Sequence, residues 1–89
     1  MKNSKTLSRK FKALGNERRL KIIKELLKRK RLTVGEISDS IDLSFRSTSR
    51  HLKVLESAGL VGWEQMSKNI YYFISPETSR EFLNLVKEI

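Results

Sequence analysis

Between Thr33 and Leu60 the chain reads TVGEISDSIDLSFRSTSRHLKVLESAGL, start and stop signals for two helices with almost nothing between them. Two helices joined that tightly have few ways to pack. Thr33 followed by Glu36 is a capping box, in which each side chain satisfies the other residue's unpaired N–H, worth ~1 kcal/mol for the cap. Val34, Ile37 and Ile41 then give the buried face of the first helix. The chain turns through Asp42 and Leu43 to Ser44, the N-cap of the second helix. Asp42 stands where many such turns have glycine, and aspartate tolerates the left-handed conformation better than most residues. The second helix runs from about Phe45 to Ser57, with Gly59 as its C′ residue and Leu60 returning to the core. In it Arg46, Arg50 and Lys53 recur at i, i+4 and i+7, while Thr48, Leu52 and Leu55 fall on the opposite side. A helix that is apolar behind and cationic in front, held by a short partner helix, is the geometry that enters a DNA major groove.

The flanks extend this unit in both directions. Leu7, Phe11 and Leu14 mark a narrow apolar stripe on a helix from about Ser4 to Leu14, which Gly15 stops as a left-handed C′ residue. Asn16 caps the next helix, with Glu17 at its positive end and Lys28, Arg29, Lys30 and Arg31 at its negative end. Leu20, Ile23, Leu26 and Leu27 spread widely enough to carry that helix across the centre of the domain. Arg19 falls inside the apolar arc and needs a carboxylate or carbonyl partner there, the alternative being a DNA phosphate. The run Lys28 to Arg31 reads either as a solvated helix end or as a backbone contact to DNA.

After Leu60 the period changes from helical to alternating. Val61 to Gln65 and Ile70 to Ile74 read as a β-hairpin whose polar tip holds Lys68 and Asn69. Tyr71 and Phe73 share the face away from Tyr72, and core or interface packing suits them better than base stacking. Ser75-Pro76-Glu77 signals a last helix over 76–88, with its stripe at Phe82, Leu85, Val86 and Ile89. The expected fold is mainly α with a small β-hairpin, in the order α-α-α-α-β-β-α. Residues 1–89 then form one domain, with the helix-turn-helix at 33–58, the hairpin at 61–74 and terminal helices at 4–14 and 76–88. Short terminal helices with narrow stripes, on a chain too small to bury much surface, predict a homodimer closed through Leu7, Phe11, Phe82, Leu85, Val86 and Ile89.

Composition narrows the function. The 89 residues include no cysteine and a single histidine, which excludes disulfides, thiolate metal sites and cysteine nucleophiles. No clustered carboxylates and no glycine-rich phosphate loop stand in for them, so an enzyme is not expected, and neither a cofactor nor a metal is called for. Apolar runs are far shorter than a membrane span and no signal-peptide core begins the chain, so no membrane association and a cytoplasmic location are expected. The net charge of +9 favours a polyanionic partner. Residues 1–31 hold thirteen Lys and Arg against Glu17 and Glu25, whereas the remaining two thirds are near neutral.

Helix, helix, helix-turn-helix, hairpin, helix is the layout of winged-helix regulators, and the chain resembles the ArsR-type (arsenic-repressor-like) transcription regulators. The stretches that carry the likeness are Phe11 to Ile22 (FKALGNERRLKI), Ser49 to Leu55 (SRHLKVL), Ala58 to Val61 (AGLV) and Tyr71-Tyr72. The resemblance implies a symmetric dimer, formed through the terminal helices, that represses transcription by occupying an operator. The helix around Ser44 to Ser57 would read the major groove, and the hairpin, or wing, would touch backbone or minor groove. Family metal sensors use cysteines near the start of the recognition helix, or Asp and His pairs on the last helix, and this chain has neither. His51 alone makes no metal site. Thr48 stands where an aliphatic residue is usual, and Phe45 where a polar one is.

Arg46 and Arg50 are the candidates for base edges, since a guanidinium bonds guanine O6 and N7 together. Ser47 and Ser49 flank them, and Lys53, Lys68 and Asn69 suit phosphates. Phe45 either packs on the scaffold or meets a thymine methyl, and His51 is either a packed, hydrogen-bonded histidine or a base reader. The expected partner is double-stranded DNA. Two other readings compete: a winged-helix module whose basic face binds an acidic protein without DNA specificity, and single-strand binding, which would want exposed aromatics among the cations.

Overall fold

The computed structural model describes residues 4–88. Along the chain come α1 (Ser4–Leu14), α2 (Glu17–Arg29), β1 (Leu32–Thr33), α3 (Val34–Ile41), α4 (Phe45–Ser57), β2 (Val61–Met66), β3 (Asn69–Ile74) and α5 (Arg80–Glu88). The expected order of helices and hairpin is present, with one strand added. Leu32 pairs antiparallel with Tyr72 and Thr33 with Tyr71, giving a three-stranded sheet in the order β1-β3-β2. This short strand ties the segment before the helix-turn-helix directly to the wing.

The local signals set most of the boundaries. Asn16 Oδ1 accepts from the N–H groups of Arg18 and Arg19 at the start of α2. Both halves of the Thr33/Glu36 capping box form, at 2.9 and 3.1 Å. Asp42 takes the left-handed conformation with φ 56° and ψ 54°, and Ser44 Oγ receives the Ser47 N–H. Gly59 ends α4 at φ 78°, where a side chain would be strained, while the Leu60 N–H returns to the Leu55 carbonyl.

Two endings differ from expectation. Gly15 is not left-handed: its N–H bonds the Lys12 carbonyl, and the chain passes straight into the extended Asn16 cap, so no αL residue is needed. At the other end of α2 Lys30 takes a positive φ, 73° with ψ −57°, in a tight turn where the Arg31 N–H bonds the Arg29 carbonyl. The last helix starts at Arg80 and not at Pro76. The Ser75 N–H is bonded to the Leu60 carbonyl, and its hydroxyl donates to Glu77 Oε1 and does not cap. Residues 75–78 close a turn instead, and Ser79 Oγ caps the helix by accepting from the Phe82 N–H.

The core is built on α2, where Ile22, Ile23 and Leu26 are buried. Ala13 from α1, Ile37 from α3, Leu52, Leu55 and Ala58 from α4 and its end, Leu32, Leu60 and Val61 from the sheet side, and Val86 from α5 complete it. Tyr72 and Ile74 of β3 pack against this core, so α4 and the wing are fixed to one body.

Candidate nucleic-acid interface

On α4 the division between faces is complete. Thr48, Leu52 and Leu55 are each 0% exposed, while Arg46, Arg50 and Lys53 are exposed. The ion pairs among the described residues engage Lys21, Lys28, Arg29 and Arg31, and none involves these three cations. Unpaired exposed cations keep their charge available for a polyanion. Ser47 and Ser49 are half-buried beside them. Phe45, at the start of the helix, is 62% exposed, so most of its ring is open to solvent. Among the described residues the buried Thr48 hydroxyl has no hydrogen-bond partner, the cost of a polar group where an aliphatic one would fit.

Arg19 and His51 form a structural clamp. Arg19 Nε donates to the Ala13 carbonyl at 2.6 Å, at the end of α1, and Nη1 lies 3.3 Å from His51 Nδ1 on α4. Arginine has no acceptor, so His51 Nδ1 carries the lone pair and the ring is neutral with its proton on Nε2. Burial, then the charges of Arg19 and Arg18, hold the His51 pKa below its ordinary value. Arg19 therefore satisfies itself on a carbonyl and an imidazole, without a carboxylate, and His51 is committed to packing.

The wing is tied to the recognition helix on one side and to the basic run on the other. Trp63 Nε1 donates to Glu56 Oε2 at 3.0 Å, linking β2 to α4. On the opposite face Arg31 Nη1 reaches Glu64 Oε1 at 2.8 Å, and its guanidinium lies 5.2 Å from the centre of the Phe73 ring. Phe73 can lie flat there because its cross-strand neighbour is Gly62; a Cβ at that position would come within 3.0 Å of the ring. Arg31, read from sequence only as part of a basic run, is thus a brace for the wing. The alternation that puts Glu64 and Phe73 on one face was the available signal, but it names no partner. At the tip, Ser67 turns at φ 60°, and Lys68 and Asn69 are exposed.

The predicted dimer residues divide. Leu7, Phe11 and Leu85 are 37%, 48% and 52% exposed, and the Phe11 ring meets half-buried Phe82 edge-on at 5.4 Å. Val86 is different: it is 2% exposed in the single chain and belongs to the chain's own core, where α5 packs on α2. Ile89 lies outside the described residues. Among the described residues no group of three His, Asp or Glu side chains is placed to hold a metal ion.

Comparison with known proteins places these features in context. The sequence pattern of the bacterial regulatory proteins of the arsR family matches residues 16–62. The cadmium resistance transcriptional regulatory protein CadC of Listeria innocua is 39% identical over 77 residues, covering 86% of this chain and 62% of that protein. This chain therefore spans less than two thirds of that relative's length. The structure of reduced HlyU from Vibrio cholerae superposes with a TM-score of 0.81 at 36% identity, over 98% of this chain and 87% of that one. The homodimeric winged helix-turn-helix DNA-binding domain of a possible ArsR-family regulator from Mycobacterium bovis gives a TM-score of 0.84 at 30% identity, over 94% and 77% of the two chains.

Proposed function

The chain belongs to the arsR family of bacterial regulatory proteins, and from that premise we propose that it is a sequence-specific, double-stranded DNA-binding transcription regulator that acts as a dimeric repressor. The observation that carries this reading is α4 itself: three exposed cations without carboxylate partners among the described residues, on a helix whose other side is fully buried. Arg46 and Arg50 address base edges, with Ser47 and Ser49 beside them and Phe45 available to a thymine methyl. Lys53 and, on the wing, Lys68 and Asn69 meet phosphates. Residues 1–89 act as one domain. A second copy covers the exposed apolar residues Leu7, Phe11 and Leu85, with Phe82 at the edge of the patch. Two recognition helices related by a twofold axis read a near-palindrome whose half-site centres are about one helical turn, ~34 Å, apart. Occupying such an operator blocks transcription.

The protein works in the cytoplasm, alongside the DNA it reads; no described helix is long and apolar enough to cross a membrane. These 89 residues hold no cysteine, so any inducing signal is not read through thiolate metal chemistry.

Selection from a random duplex pool tests the reading. A near-palindromic motif is expected, and Arg50→Ala should weaken binding to it by about 5- to 150-fold, the equivalent of ~1–3 kcal/mol for one bidentate base contact. Enrichment of no motif, with binding to an acidic protein instead, would place the chain among winged-helix interaction modules.

A further inference from the structure

Most of the positive charge lies outside the recognition helix, and the structure shows where part of it goes. On α1, Lys5, Arg9 and Lys12 recur at i, i+4 and i+7, the same spacing as Arg46, Arg50 and Lys53 on α4. They occupy the side of α1 opposite Leu7, Phe11 and Leu14. Two open depressions meet on this cationic side. One, of about 540 Å³ between α1 and α4, is lined by Arg9, Lys12, Arg19 and Lys53 over a floor that includes Ala13 and Val54. The other, of about 430 Å³, continues along α1 past Lys5 and shares Arg9 and Lys12. Neither lining contains an acidic residue. Lys5, Arg9, Lys12 and Lys53 take no part in the ion pairs formed among the described residues.

We propose that this trough is a second DNA contact, a track for the phosphate backbone flanking the base-read half-site, entered at Lys53 and followed through Lys12 and Arg9 to Lys5. The proposal rests on the DNA-binding reading above and deepens it. Three features favour a polynucleotide backbone over a compact anion. The trough is open, and its two depressions join through the shared Arg9 and Lys12. Lys5 to Lys12 advance ~10 Å along the helix, the rise of about three nucleotides in one strand of duplex DNA. The trough also begins at a residue of the recognition face, so a strand leaving the α4 contact passes into it without a gap in the positive charge. Backbone contacts of this kind add affinity without adding sequence information.

The test uses the full chain and its Lys5→Gln/Arg9→Gln/Lys12→Gln variant on two duplexes, one ending at the selected motif and one extending ten base pairs beyond it on each side. Wild type should bind the longer duplex more tightly. The variant should lose that advantage, bind the long duplex about tenfold or more weakly, and show a log–log salt slope shallower by ~0.9 for each phosphate contact removed. Its selected motif should be unchanged, and its urea midpoint should stay near that of wild type because all three side chains are exposed. Equal affinity and slope for the two proteins on both duplexes would overturn the track while leaving motif recognition by α4 intact. Selection that returns no motif would instead overturn specific binding, and the same slope measured on random duplex would still decide whether the trough holds a backbone.

Discussion

Helices α1 and α4 carry the same arrangement of three cations and differ in what stands behind them. Behind Arg46, Arg50 and Lys53, α4 has Thr48, Leu52 and Leu55, all 0% exposed. Behind Lys5, Arg9 and Lys12, α1 has Leu7 and Phe11, still 37% and 48% exposed, and only its last turn, with Ala13 and Leu14, sits against the core. A cationic face reads bases only if its backbone is held to within a fraction of an ångström, and a fully buried back supplies that. A face backed by open apolar surface still has a partner to find. In the dimer proposed above the two helices therefore divide the work: α4 is fixed by its own chain, and α1 takes a second copy against its open side.

The largest expected effect breaks the comparison if it fails. Leu52→Ala should cost about 2–5 kcal/mol, since it removes a fully buried side chain from the middle of the core. In an 89-residue chain that is a large share of the total stability. Leu7→Ala, measured at protein concentrations low enough to keep the chain monomeric, should change stability by no more than ~0.5 kcal/mol. Urea denaturation of both variants gives the answer, and similar losses would mean that α1 is as firmly seated as α4.

A charge placed on the open side tests what completes it. Leu85→Glu, at a position 52% exposed beside the Phe11–Phe82 pair, should leave the monomer folded and shift sedimentation from dimer to monomer mass. A carboxylate buried against an apolar partner loses its hydration without a counter-ion, so the dimer should weaken on the order of tenfold or more. An unchanged dimer mass would put the second copy on another surface.

Thr48 marks the one flaw in the buried side of α4. Its hydroxyl is buried without a partner, and Thr48→Val replaces it with a methyl of nearly the same volume. The substitution should raise stability by about 1 kcal/mol, the scale of an unsatisfied buried hydroxyl. A loss of stability would show that the hydroxyl has found an acceptor, the Ser44 carbonyl one turn back being the nearest in sequence. The gain should appear in the urea midpoint without altering the selected DNA motif, because Thr48 faces away from the cations.

How far this division could be read in the sequence depends on the range of the interactions. The limits of α4, the Thr33/Glu36 box, the Ser44 cap, left-handed Asp42 and Gly59 are set by side chains within a few residues of the backbone they satisfy, so sequence displays them. The pairing of Leu32 with Tyr72 spans forty residues and leaves two residues of strand, too few for any periodicity. The His51 partner of Arg19 and the Glu64 partner of Arg31 were hidden for the same reason: each lies more than thirty residues along the chain. At Ser75 the local signal was present but lost to a distant one, the Leu60 carbonyl that holds its N–H and leaves Ser79 to start the helix. Among the proposed DNA contacts, the residue types and spacing on α4 were legible, whereas the continuity of Lys53 with α1 required the packing of the two helices.

The smallest effect probes the joint between the two helices. Arg19 holds the α1 end through the Ala13 carbonyl and the α4 side through His51, and only the second contact titrates. Burial and the neighbouring Arg19 and Arg18 lower the folded-state pKa of His51, while the unfolded chain keeps a value near ~6.5. The unfolded state thus binds the proton more readily, and stability contributed by neutral His51 is complete above about pH 6.5. It declines as pH falls from there through the lowered folded pKa, where an imidazolium would face two guanidinium groups. The urea midpoint of the wild type should therefore fall between pH 7.5 and 5.5, a range above most carboxylate titration, and His51→Gln should flatten that fall. Equal pH dependence in the two proteins would remove His51 from the joint and leave the Ala13 carbonyl as the contact through which Arg19 links α1 to the body of the protein.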